Sequence, residues 1–297
     1  MRRALLTGAT SFPGRALTDR LLTLGLEVHA LVRPQSNTAQ LARLGVILHM
    51  TGDDGASIDE AVRQARPDIT YHLANLYLRE AATADIPRLC EANITLGTCL
   101  LESLHRRKFQ NFVNVGTFAQ FYDQTEPRPF NLYAATKEAF QTILAYYADL
   151  GLSSTTLILF DTFGPGDRRA KLIPSLLRAL EDGGNIPLPA EDLVMDITYI
   201  SDVAEALSQA GGGLIGRPQD WQDKRFAVSG FRHTIRDVVA TLERVAGHKI
   251  NKLWGEWKLP ERHIALPWLG PKLPGWSPTV SLEVGLRQTL IAGPHAP

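Results

Sequence analysis

The sequence predicts an α/β protein: a doubly wound parallel sheet with a smaller C-terminal, substrate-binding lobe. Three observations predict it. Short apolar runs alternate with helical patterns from residue 4 to residue 160, as in successive strand–helix–strand units. The first apolar run leads straight into a glycine-bracketed turn, Thr7-Gly-Ala-Thr-Ser-Phe-Pro-Gly14, and then into a helical pattern. Beyond Asp161 the regular alternation stops and Gly and Pro become frequent. We expect residues 1–160, with about 196–230, to form the cofactor domain, and residues 161–195 and 231–297 the lobe.

Ala4 to Thr7 reads as the first strand. Arg15 to Gly25 carries Leu17, Leu21, Leu22 and Leu24 at helical spacing, closed by Gly25. Glu27 to Val32 is the second strand, Leu41 to Leu44 a short helix, and Val46 to Met50 the third strand. Ser57 to Ala65 is helical, with Ser57 and Glu60 at capping-box spacing. Ile69 to Leu73 is the fourth strand, Pro87 to His105 a long helix, and Asn111 to Val115 the fifth strand. Leu132 to Leu150 is another long helix and Thr155 to Phe160 the sixth strand. In the second half, Ile197 to Ile200 reads as a strand, followed by a helix from Asp202. Phe226 to Ser229 is a further strand. Thr234 to Ala246 is an amphipathic helix with Thr234 and Asp237 at capping spacing. Four of the five tryptophans, at 254, 257, 268 and 276, fall among prolines near the end.

Charge and cysteine content narrow the function. With 31 basic and 31 acidic residues the net charge is zero, which gives no support for nucleic acid or an anionic membrane as partner. Cys90 and Cys99 have neither metal-ligand nor redox spacing, so no metal site is expected. The opening apolar run is too short for a signal peptide or a membrane span, and a cytoplasmic location is expected.

Two local patterns carry chemistry. In the turn, Gly8 and Gly14 bracket a strand-to-helix junction where backbone N–H groups and the helix dipole favour a pyrophosphate. Ser11 stands at the middle glycine position of the fingerprint. The second strand ends Ala30-Leu-Val-Arg33, with no acidic residue to meet a free 2′-hydroxyl. Arg33, with Ser36 and Asn37 behind it, suits a 2′-phosphate, so NADP(H) is favoured over NAD(H). Asp53 and Asp54 follow the third strand; they read either as acceptors for an adenine amino group or as turn-formers. The second pattern is Tyr133 and Lys137, four apart on one helix face. A lysine ammonium beside a phenol favours the phenolate and brings tyrosine from about 10 toward an acid/base range.

At this point the chain resembles the extended short-chain dehydrogenases/reductases, the NAD-dependent epimerase/dehydratase type, which have a Rossmann-type sheet. The matching segments are Thr7 to Gly14, Tyr71-His-Leu-Ala74, Asn93, Val113-Asn-Val-Gly-Thr117 and Tyr133-Ala-Ala-Thr-Lys137. Further matches are Phe163-Gly-Pro-Gly-Asp167, Asp196 to Asp202, and Leu273-Pro-Gly-Trp276. Within the family, the segments around Thr117 and Tyr133 are most similar to nucleotide-sugar 4-ketoreductases of the CDP-abequose and CDP-paratose synthase type. The resemblance implies Tyr133 as general acid/base, Lys137 as holder of the nicotinamide ribose, and Thr117 as partner of the reacting oxygen. It implies cofactor contacts at Gly8, Thr10, Ser11, Phe12, Gly14, Leu73 and Ala74. For Asn93 it leaves two readings, organiser of the site or polar residue in a helix. Substrate contacts are implied at Gln120 and Asp161. The cluster Arg168, Arg169 and Lys171 reads as a diphosphate site or as a solvated loop.

The scaffold serves several reactions. Its 4,6-dehydratases carry Asp-Glu after the catalytic threonine, where this chain has Phe118 and Ala119, so dehydration is rejected. NADPH-dependent ketoreduction is preferred. NAD-dependent epimerisation and a non-catalytic NADP(H)-sensing role are the alternatives. Two departures concern the substrate: Asp161 stands where the family usually has Asn, and Met195 where an Arg commonly meets the diphosphate. The resemblance also implies a homodimer through the Pro87–His105 and Leu132–Leu150 helices.

Overall fold

The computed structural model describes residues 1–52, 55–122, 126–190, 192–259 and 262–293. Asp53 and Asp54 lie outside the described residues. In chain order the first half runs β1 (Arg3–Thr7), α1 (Phe12–Thr23), β2 (Glu27–Val32), α2 (Ala39–Arg43), β3 (Ile47–Met50), α3 (Gly55–Ala65) and β4 (Ile69–His72). It continues with α4 (Ile86–Cys90), α5 (Leu96–Arg106), β5 (Phe112–Thr117), α6 (Leu132–Asp149) and β6 (Ser154–Leu159). The second half is β7 (Asp161–Phe163), α7 (Leu172–Asp182), β8 (Asn185–Leu188), β9 (Val194–Tyr199), α8 (Ile200–Gly216), α9 (Pro218–Trp221) and β10 (Lys224–Val228). Then come β11 (Phe231–Thr234), α10 (Ile235–Ala246), β12 (Asn251–Trp254) and α11 (Leu282–Ala292).

Seven strands make the central sheet in the order β10-β6-β5-β4-β1-β2-β3, all parallel. The order reverses between β1 and β4, the switch point where such sheets bind ligands at the carboxyl ends of their strands. Strands buried on both faces explain why the first half reads as continuous apolar runs. On one face α1 and α8 pack with Leu6, Leu17 and Leu207 in one core; on the other, α3, α5 and α6 pack with Leu5, Leu100 and Phe140 in a second.

Outside this sheet, β11-β9-β7 and β12-β8 form two small sheets. Here the expected elements differ from the structure. The strand expected over Ile197 to Ile200 runs from Val194 to Tyr199, and Ile200 instead opens α8. The helices α7, α9 and α11 and the strands β7, β8, β11 and β12 were not expected. Those strands have three or four residues each, and most of their positions are half-buried or exposed, so little alternation is available to read. The helix expected from Pro87 to His105 is real, but a π segment over Glu91–Thr95 interrupts it. The Thr234–Asp237 capping box forms as expected.

Candidate active site

The turn after β1 is shaped by its glycines. Gly8 has φ +71°, and a Cβ there would lie 2.7 Å from Ala74 N; at Gly14 it would lie 2.1 Å from Gly8 O. Neither position accepts a side chain without moving backbone. Ser11 caps α1, its Oγ accepting from Gly14 N–H at 3.1 Å. The serine at the middle position therefore folds back onto the helix. Ala74 N–H donates to Thr7 Oγ1 (3.1 Å), which also shares a 2.8 Å hydrogen bond with His72 Nδ1. Gly8, Ser11, Gly14, Leu73 and Ala74 thus meet where β1 and β4 end. Burial pulls the His72 imidazole down to about 3, helped by the charge of Lys137, so the ring is neutral at ordinary pH.

Tyr133 and Lys137 lie on the buried face of the first turns of α6, which Asn131 caps by accepting from Ala134 N–H at 2.9 Å. Lys137 is 2% exposed and its Nζ has no hydrogen-bond partner among the described residues. Burial pulls its ammonium down to about 8. The Tyr133 phenol is not lowered as expected. Burial pushes it above its ordinary value, Tyr77 adds to the push, and the Arg169 charge draws it part of the way back. For both groups desolvation is the leading effect and exceeds attraction between neighbours. Tyr77 meets the Tyr133 ring edge-on at 5.0 Å, and Lys171 Nζ lies 5.0 Å over the Tyr77 ring while pairing with Asp161 at 3.5 Å. Tyr77 therefore borders the tyrosine, with Lys171 and Asp161 behind it. Tyr77 was not expected; its only sequence signal is an aromatic residue shortly after the fourth strand.

Thr117 ends β5, and its Oγ1 accepts from Ala119 N–H at 3.3 Å. Gln120 does not reach outward as expected of a substrate contact. It is 1% exposed, its Oε1 accepts from Thr117 N–H (2.8 Å), and its Nε2 donates to Glu138 (2.6 Å). Both ends of the amide are consumed in fixing Thr117 against α6. Glu138 is in turn paired with Arg225 at 2.7 Å. Phe118, at a dehydratase acid/base position, stacks on Phe160 at 5.5 Å. Asn93 sits in the π segment with no exposure. Its amide accepts from Leu76 N–H (2.7 Å) and donates to Leu76 O (3.1 Å) and Thr136 Oγ1 (2.9 Å). It ties the Tyr77 loop to α6, and its polar atoms are spent in doing so.

The basic loop lies elsewhere than expected. Arg168 and Arg169 line a cleft of about 620 Å³ together with Thr10, Phe12, Arg15 and Arg43. The Arg169 guanidinium lies 4.7 Å over the Phe12 ring. The two arginines therefore face the phosphate turn, and only Lys171 of the cluster faces Tyr77. Arg33 is exposed at the end of β2, near this cleft in sequence but not lining it.

The family model for the "NAD dependent epimerase/dehydratase family" matches residues 4–211. Among curated proteins, a CDP-abequose synthase from Yersinia pseudotuberculosis is 20% identical over 261 residues, covering 87% of this chain and 90% of that protein. A probable UDP-glucuronate 4-epimerase from Rhizobium meliloti (strain 1021) is 25% identical, covering 96% of this chain and 95% of its own. Among solved structures, a UDP-glucose 4-epimerase of Thermus thermophilus in complex with NAD superposes with a TM-score of 0.81. It has 26% identity over 98% of both chains.

Proposed function

The chain belongs to the NAD-dependent epimerase/dehydratase family, and from that premise we propose that it is an NADPH-dependent ketoreductase of a nucleotide-linked keto-deoxy sugar, acting at the 4-keto group. In coarser terms it is an NAD(P)-dependent, oxidoreductase-type enzyme of nucleotide-sugar chemistry. The observation that carries the cofactor is Lys137. A buried ammonium with no partner is costly, and hydroxyls of a nicotinamide ribose fit it. The glycine cradle at Gly8 and Gly14 fits a closely approaching dinucleotide.

When bound, the nicotinamide supplies hydride. Tyr133 donates the proton to the carbonyl oxygen as it gains charge, and the buried Lys137 charge steadies the resulting phenolate. Thr117, held in place through Gln120 and Glu138, donates a hydrogen bond to the same oxygen. Phe118 and Ala119 offer no second acid or base, which favours reduction over dehydration. Arg33 supports NADP(H). The sheet pairing supports residues 1–160 with α8 and β10 as the cofactor domain, and the residues around β7, β8, β11 and β12 as the substrate lobe. The absence of an apolar membrane-length helix among the described residues is compatible with a cytoplasmic enzyme.

Epimerisation is the second reading, favoured by the end-to-end match to an NAD-bound epimerase. The test is a panel of nucleotide-linked 4-keto-6-deoxy sugars with NADPH and NADH. Ketoreductase action consumes NADPH stoichiometrically, and Tyr133→Phe lowers kcat by about 10²–10⁴ while leaving cofactor affinity within a few-fold. Protein that purifies with tightly held NAD and interconverts sugars without consuming NADPH is an epimerase. A Tyr133→Phe variant as active as the parent removes Tyr133 as the proton donor, and no turnover with cofactor still bound points to the sensing role.

A further inference from the structure

The turn after β1, from Gly8 to Gly14, carries no charged side chain. Ser11 N–H donates to Gly8 O (2.9 Å), Gly14 N–H to Ser11 Oγ (3.1 Å) and Arg15 N–H to Ser11 O (2.9 Å). Pro13 has no N–H. Ala9, Thr10 and Phe12 keep uncommitted N–H groups among the described residues. These offer donors but no formal charge to a pyrophosphate with two negative charges. The positive charge must come from side chains.

Two arginines build the wall of the adjoining cleft without being free to serve. Arg15 Nη1 and Nη2 donate to Thr10 O (3.1 Å) and Gly166 O (3.3 Å), bridging the turn to the 164–169 loop. Arg169 grips both oxygens of Asp167 and donates to Thr162 O, while lying on Phe12. They are braces that dock the loop onto the turn. Arg168 on the loop and Arg43 at the end of α2 face the same cleft. Neither guanidinium forms a hydrogen bond or ion pair among the described residues. No carboxylate is among the residues that line this cleft, while Arg168 also borders a second one with Asp167 and Glu181.

We infer that Arg168 and Arg43 form a two-sided phosphate clamp on the dinucleotide, Arg168 taking the pyrophosphate and Arg43 the 2′-phosphate. This moves Arg168 from the substrate to the cofactor, and adds Arg43, which sequence reading passed over, to Arg33. The assignment follows position. Arg168 stands with Thr10 and Phe12, at the turn that has no charged side chain of its own. Arg43 comes from α2, directly beyond the β2 end where the ribose hydroxyl is read. Guanidinium groups suit both phosphates, each offering a planar fork. The inference rests on the dinucleotide reading above, but not on which sugar is turned over.

The test measures binding, not turnover. ADP-ribose and 2′-phospho-ADP-ribose are titrated calorimetrically into the parent protein and into R168A, R168K, R43A and R244A. Arg244 is on α10, paired with Glu283 at 2.7 Å, and serves as a control for loss of one positive charge. R168A is expected to weaken both ligands by about tenfold or more, with partial rescue in R168K. R43A is expected to weaken only 2′-phospho-ADP-ribose, by a similar factor. R244A should stay within twofold. The clamp is wrong if R168A keeps its ADP-ribose affinity within twofold, or if R43A affects the two ligands equally. If R168A instead loses affinity for CDP or UDP, the loop belongs to the substrate. A parent protein that binds neither probe overturns the clamp and the cofactor reading together. Binding that follows the expected pattern without keto-sugar turnover leaves the clamp standing and removes the ketoreductase.

Discussion

Lys137 shows how a single residue ties stability to function. Holding an unpartnered ammonium in the protein interior opposes folding, and its depressed value of about 8 against 10.5 expresses this. The sign follows from proton counting. Between about pH 8 and 10.5 the unfolded chain binds the proton and the folded chain does not, so stability rises with pH across that window. From pH 7.5 to 9.5, with no dinucleotide added, the parent should gain ~2 kcal/mol relative to Lys137→Met. Urea midpoints at the two pH values measure this. The variant should also melt higher at pH 7.5 and have lost turnover. A parent no more pH-dependent than Lys137→Met would mean that the ammonium has a partner in solution. The Tyr133–Lys137 spacing was legible because helix geometry makes i and i+4 neighbours. What the spacing could not convey was the depth of burial, which decides the direction of both pKa values.

At the scale of elements, the strand–helix alternation up to β6 was legible because strands buried on both faces must be apolar throughout. The break inside the helix expected from Pro87 to His105 was not. A π segment adds one residue to a turn without changing the residue types around it, and such segments recur at functional sites. Its consequence is the placement of Asn93, whose amide replaces the missing backbone partners of Leu76 and reaches Thr136 on α6. Asn93→Ala leaves a backbone donor and acceptor of Leu76 unpaired, at a cost of about 2–4 kcal/mol. Thermal unfolding should fall by several degrees, and KM for the sugar should rise more than kcat falls as Tyr77 loosens beside Tyr133. An equal fall in kcat at unchanged KM would place Asn93 among the reacting groups instead. The basic loop shows the same limit of sequence reading. Arg168 and Lys171 are three residues apart in the chain, yet one lines the cleft beside the phosphate turn and the other lies over Tyr77. Arg43 joins Arg168 only through the fold.

At the scale of the whole molecule, the sheet divides the labour. Helices α1 and α8 cover one face, and α3, α5 and α6 the other, while the carboxyl ends of the strands lie along one rim. A partner docking on the outer faces of α5 and α6 leaves that rim clear. Those helices are joined to each other by Tyr147 OH donating to Glu102 at 2.9 Å, and α6 exposes Tyr146 (60%), with Leu150 (46%) just past its end. Two copies related by a two-fold axis would set the same patch against itself, giving the four-helix arrangement expected of the family. An interface of that kind must bury about 1,200 Å² or more to hold at micromolar concentration. Tyr146→Glu places a charge from each copy in the patch, where like charges and desolvation oppose association. Sedimentation velocity should therefore show twice the chain mass for the parent and a monomer for the variant. The monomer should still bind ADP-ribose, because Arg168, Arg43 and the Gly8–Gly14 turn lie away from α5 and α6. A parent that sediments as a monomer removes the dimer. A Tyr146→Glu variant that stays dimeric moves the interface to another face.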